Sequence, residues 1–162
     1  MQTFLIVVAD GTKARFFTLE SSSTPEYESS PYLVERESLS NPLQELTGQE
    51  LWSAPQAQVG HHDSKGSAQS YDDHRRKHEI EYERRFAVKI IDTIQEHFQS
   101  HHLDELILVA EHRLLGLLRD MLPKIQNIVE LDKNLSHMNP KELHEYLVKQ
   151  DALPPTITPT VR

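Results

Sequence analysis

The chain has no cysteine, which excludes a disulfide framework and any thiolate metal site. Glycine is scarce, five in 162 residues. No glycine-rich phosphate loop follows a strand, and no nucleophile elbow of glycine and serine occurs, so two common enzyme signatures are missing. Long hydrophobic runs are missing too. The first one, Phe4 to Ala9, ends in Asp10-Gly11, too short for a membrane span. It has no basic residues ahead of it and no small-residue cleavage pattern, which points to a strand of a cytoplasmic protein rather than a targeting segment. Lys and Arg are outnumbered 17 to 25 by Asp and Glu, for a net charge of −8. That balance argues against a general nucleic-acid coat protein but leaves room for a local basic face.

What is present follows a clear order. Phe4–Ala9 is apolar throughout and rich in β-branched residues, as a strand covered on both faces should be. Asp10-Gly11 favours the positive φ angles of a tight hairpin, and Ala14 to Glu20, with Phe16, Phe17 and Leu19, is the return strand. Tyr32 to Leu39 reads as a third, edge-like strand. From Ser40 to Asp73 no period survives, which predicts a long flexible loop. From Asp73 to Gln99, Ile80, Ala87, Ile90, Ile91, Ile94 and Phe98 form one helical stripe. Leu106–Ala110 is a second buried strand, Arg113–Leu122 a Leu-rich helix, and Ile128–Leu131 a short strand. Asn139-Pro140 with Glu142 reads as an N-cap, first-turn proline and capping-box acid for a helix through Lys149.

The expectation is therefore one α/β domain over residues 1–150, with a flexible loop at 40–73 and a disordered tail at 151–162, whose prolines discourage regular structure. The element order βββαβαβα is that of a ribonuclease H-like mixed five-stranded sheet. Strand 4–9 should lie between 14–20 and 105–110, with 127–131 beyond.

Three chemistries suggest themselves. Asp10, at the end of the first strand, and Glu111, at the end of the central parallel strand, could hold metal ions for phosphodiester cleavage; the turn chemistry of Asp-Gly accounts for Asp10 by itself. His74 and His78 share a helix face at i, i+4, but Arg75-Arg76-Lys77 between them opposes a divalent cation. No metal, cofactor or catalytic residue is assigned. The third feature is basic: His74 to His78, then Arg84, Arg85 and Lys89, with Tyr71 or Tyr82 for base stacking. Glu79, Glu81 and Glu83 interleave it and moderate its field.

Phe4-Leu-Ile-Val-Val-Ala-Asp-Gly11 with Arg15-Phe-Phe17 resembles the opening of the middle domain of archaeal and eukaryotic class-I peptide-release factors. Leu106-Ile-Leu-Val-Ala110 and Leu115-Gly-Leu-Leu-Arg119 are similar to their bacterial relatives, the host-attachment proteins. In the release factors a Gly-Gly-Gln tripeptide precedes the long helix. Here Gly60 to Gln69 lacks it, and Thr47-Gly48-Gln49 keeps two of its letters. The resemblance implies a non-catalytic binding module associating with ribosome or tRNA, or with a protein partner, and a homo-oligomer is compatible with it. The nucleic-acid or partner-binding residues it implies are Lys65, Gln69, Arg75, Arg76, Lys77, Arg84 and Arg85. The alternative is a metal-dependent nuclease or hydrolase of ribonuclease H-like fold.

Overall fold

The computed structural model describes residues 2–41, 67–125 and 127–160, with the backbone alone for 67–76. The elements are β1 (Phe4–Ala9), β2 (Lys13–Glu20), β3 (Tyr32–Ser40), α1 (Ser67–Ser100), β4 (Glu105–Ala110), α2 (His112–Met121), β5 (Ile128–Asp132) and α3 (Pro140–Lys149). They build one five-stranded sheet in the order β3-β2-β1-β4-β5. β1 pairs antiparallel with β2 and parallel with β4, and β5 continues the parallel half. This is the mixed βββαβαβα arrangement expected from the sequence.

Hydrophobicity dictates the order. Every residue of β1 is buried, as is β4 from Leu106 onward, so these two strands need a layer on each face. Leu5, Val7 and Ala9, with Leu106, Leu108 and Ala110, face the stripe of α1 and Leu114, Leu115 and Leu118 of α2. Phe4, Ile6, Val8, Ile107 and Val109 face Leu143 and Leu147 of α3. That α1 and α2 share a face is what two crossovers of one hand, advancing in one direction across a sheet, produce. Each fully buried large side chain contributes roughly 1.5–3 kcal/mol.

β3 closes the antiparallel edge, and its register slips once. Phe16 opposes Glu37 and Phe17 opposes Glu35, which leaves Arg36 as the extra residue of a β-bulge. The bulge turns Glu37 toward α1, where His97 is buried with Nε2 2.8 Å from its carboxylate and its ring stacked 5.8 Å from Phe16.

Four expectations change in detail. The β1–β2 turn is real, but no glycine among the described residues has positive φ. The Asp10 side chain shapes the turn instead, accepting from Thr12 N at 2.7 Å and Lys13 N at 2.9 Å. The expected loop 40–73 is narrower at both ends. Ser40 belongs to β3, and buried Asn41 bonds Gly11 O at 2.7 Å and Thr12 O at 2.8 Å. α1 already begins at Ser67, and residues 42–66 lie outside the described part. Ile80, placed on the buried stripe, is 45% exposed. Finally, residues 151–160, expected to be disordered, return along α3 to the sheet edge. Leu153 is buried in the α3-side core, and Ile157 makes an antiparallel bridge with Ser30. One apolar anchor and a set of hydrogen bonds are enough to place a segment whose prolines already limit its unfolded freedom.

Candidate functional site

α1 is much longer than the sheet it covers. Thirty-four residues make a rod of about 50 Å, whereas six-residue strands span about 20 Å. Among the described residues its buried side chains are Phe86, Ala87, Ile90, Ile91, Thr93, Ile94 and His97, a stretch of matching length. From Lys77 to Arg85 no side chain is buried. This part of the helix overhangs the body, which is why Ile80 keeps the periodicity of the stripe without finding a core. Because α1 runs against the parallel strands, the overhang stands at their C-terminal ends, where open α/β sheets place ligands. Arg113, at the start of α2, ties the overhang to that end through Glu83 at 3.2 Å.

The described part of the basic feature is exposed: Lys77, Arg84, Arg85 and Lys89 all face solvent. They do not form a single strip. Lys77 and Arg84, seven apart, share one line, and Arg85 and Lys89, four apart, lie roughly a third of a turn away. Arg85 is engaged by Glu81 at 2.6 Å and lies over the Tyr82 ring at 5.4 Å. The other side of that contact set is His78, its ring 6.4 Å from Tyr82. Tyr82 is thus already stacked and half-buried, not the open platform expected for a base. Among the described residues Lys77, Arg84 and Lys89 have no carboxylate partner. Lys65 lies outside the described residues, and so do the side chains of Gln69, Tyr71, Arg75 and Arg76, although their backbones belong to α1.

Beneath the overhang, the strand ends carry a polar network. Asp10 Oδ1 accepts from Thr12 N and Thr12 Oγ1, both at 2.7 Å, and from Lys13 N at 2.9 Å, while Oδ2 meets the Ser136 hydroxyl. Partial burial pushes this carboxyl upward, but the bonds from Ser136, Thr12 and Lys13 outweigh it and hold Asp10 below its ordinary value. Asn134 bridges onward: its Oδ1 lies 2.7 Å from Ser136 Oγ, and its Nδ2 donates to Glu111 Oε1 at 3.0 Å. Asp10 and Glu111 are therefore linked through Ser136 and Asn134. Among the described residues no three His, Asp or Glu gather as a metal-ligand set.

Arg15 clamps the same loop from β2. Its guanidinium donates to the carbonyls of Ser136 at 3.1 Å and Met138 at 2.5 Å, and grips Glu35 by Nε at 3.1 Å and NH2 at 2.6 Å. The hydrogen bonds and charge of Arg15 hold the Glu35 carboxyl below its usual range. Sequence reasoning singled out Asp10, Glu111 and the Arg15-Phe-Phe17 run but missed Asn134 and Ser136. The available signal was modest: two short polar residues between a strand and the Asn139 cap, a pattern that favours side-chain-to-backbone turns.

No curated protein matches the chain. Among solved structures it is similar to the Pelota protein of Thermoplasma acidophilum, at 10% identity and a TM-score of 0.38, over 91% of this chain and 32% of that one. The chain thus spans about a third of that protein's length. The model of one family runs from Leu5 in β1 to Leu147 in α3 and so touches every strand and helix. The chain belongs to the family described as proteins required for attachment to host cells.

Proposed function

We propose that this protein is a non-catalytic binding module of the cytoplasm whose α1 overhang contacts the phosphate backbone of ribosomal RNA or tRNA. The observation that carries the reading is the uncovered stretch Lys77–Arg85 at the C-terminal ends of the parallel strands, with Lys77, Arg84 and nearby Lys89 exposed and without carboxylate partners among the described residues. Those cations follow in sequence the segment that the resembled release factors use as their functional loop, and Lys65, Gln69, Arg75 and Arg76 would extend the contact toward it. Binding rather than cleavage is supported by the occupied state of Asp10 and Glu111. Both oxygens of Asp10 and one of Glu111 already accept hydrogen bonds from the protein, so ions would have to compete for them.

The net charge of −8 opposes the encounter, so the affinity is expected in the micromolar range or weaker, near non-specific binding. Each phosphate contact releases condensed counterions, and neutralising one cation should reduce the salt slope by about one unit. The test is co-sedimentation with ribosomes at low and moderate salt, comparing the wild type with Lys77→Ala/Arg84→Ala/Lys89→Ala. Wild type should pellet at low salt and the variant should not. If neither pellets, or both do equally, the RNA reading fails.

A protein partner is the second reading, and one observation favours it. Ile80 on the overhang and Val88 just beyond it are each 45% exposed, giving this part of α1 apolar contacts that phosphate would not use. Affinity capture from native lysate, with and without ribonuclease, separates the two.

A further inference from the structure

The segment after α3 is bound to the body in a manner that does not depend on chain continuity. Leu153 fills the α3-side core as the one buried side chain among its described residues. His144 Nε2 lies 2.8 Å from Pro154 O, the Thr156 hydroxyl donates to Pro31 O at 2.8 Å, and Ile157 exchanges both backbone hydrogen bonds with Ser30, at 2.8 and 3.2 Å. One anchor, one carbonyl, one hydroxyl and one β-pair specify a groove between α3 and the start of β3 that accepts this extended sequence. The residues after Leu153 as far as Thr158 are exposed, so few apolar contacts resist their release.

The hinge is strained. α3 ends in a Schellman turn, with Ala152 N donating to Leu147 O at 2.9 Å and Asp151 N to Val148 O at 3.0 Å. The left-handed position is filled by Asp151, at φ 58°, rather than by glycine. A side chain there crowds the following carbonyl, and opening the hinge into an extended path removes that crowding.

We propose that two copies of this chain exchange their C-terminal segments, residues 153–158 of each filling the groove of the other. The contacts are those already made within one chain. The only local changes are at the hinge, where a strained short connection favours swapping. The inference is independent of the RNA reading, since the groove involves none of the α1 cations.

Two variants of the full chain bias the hinge in opposite directions. Asp151→Pro forbids the left-handed turn and removes its N–H, whereas Asp151→Gly relieves the crowding without opening it. Analytical ultracentrifugation should show Asp151→Pro tightening the dimer dissociation constant roughly tenfold or more, and Asp151→Gly weakening it. A second measurement stands even if Asp151→Pro fails to fold. The Ser29 and Thr158 hydroxyls are 3.3 Å apart, and the chain has no cysteine of its own. Tagged Ser29→Cys chains mixed with untagged Thr158→Cys chains should form mixed disulfides in excess of random pairing, because only an exchanged segment brings those two positions together between molecules. Mixed disulfides at the random share, or a folded Asp151→Pro that stays monomeric at the highest concentration reached, would overturn the proposal.

Discussion

The Ser136 hydroxyl rests on Oδ2 of Asp10, across 126 residues of sequence. That single contact joins the β1–β2 turn to the loop entering α3, and so ties the antiparallel half of the sheet to the layer on its α3 face. Because Asp10 is held below its ordinary value of 3.8, folding favours its ionised form. The stabilisation is complete above that ordinary value and is lost as pH falls through the lowered one. Asp10→Asn should cost roughly 1–2 kcal/mol at neutral pH, as expected for loss of charge-assisted hydrogen bonds, and should flatten the acid limb of the stability curve. Urea melts from pH 7 down to pH 2.5 check this. Parallel acid limbs in the two proteins would count against it.

Arg15 should not be replaceable by lysine. Its fork reaches Glu35 and two carbonyls at once, and a lysine ammonium cannot reproduce that planar geometry. Arg15→Lys is expected to lose about 1–3 kcal/mol, and hydrogen exchange should rise at Ser136 to Met138 before it rises in β1. Uniform exchange across the domain would instead mean that Arg15 supports the fold as a whole.

The overhang of α1 makes a paired prediction. Ile80 and Ile90 look alike in sequence, but one is 45% exposed and the other fully buried. Ile90→Ala should cost about 2–5 kcal/mol, and Ile80→Ala should stay within about 0.5 kcal/mol. Equal losses in thermal melts would show that something covers Ile80 in solution.

The two ends of α3 should respond with opposite sign. Asn139 Oδ1 accepts from Glu142 N at 2.8 Å, so Asn139→Ala should destabilise by about 1 kcal/mol. Asp151→Gly trades a crowded left-handed residue for one that suits it and should stabilise by roughly 0.5 kcal/mol, the remainder offset by glycine's greater unfolded freedom. Chemical denaturation of the two variants at low protein concentration tests both signs.

Much of the fold was legible because its signals are local. The unbroken apolar runs of β1 and β4 required cover on both faces and so placed themselves at the centre. The Asn139-Pro140-Glu142 cap marked the start of α3 to the residue. The start of α1 was missed by six residues because Ser67-Ala-Gln-Ser-Tyr-Asp72 carries no apolar stripe to mark a helix. The Asp10–Ser136 and Glu111–Asn134 contacts were not legible, since neither partner leaves a mark on the sequence near the other. Gly11 misled through composition: Asp-Gly signals a turn correctly, but here the aspartate's side chain does the shaping. In the tail, prolines dominate the sequence signal, while the anchor is the single apolar Leu153.

The bulge in β3 carries a consequence for how this strand can change length. Arg36 is the one residue without an opposite number on β2. Deleting it would bring Glu37 directly after Glu35 and restore an even ladder, with Ser38, Leu39 and Ser40 still facing Arg15, Ala14 and Lys13. Deleting a residue outside Glu35–Glu37 instead would shift one end of the strand and turn its side chains to the wrong face. The edge of this sheet therefore has one place, the bulge, where a codon can be lost in frame, and losing Arg36 there forfeits its contacts to Thr18 and Glu20.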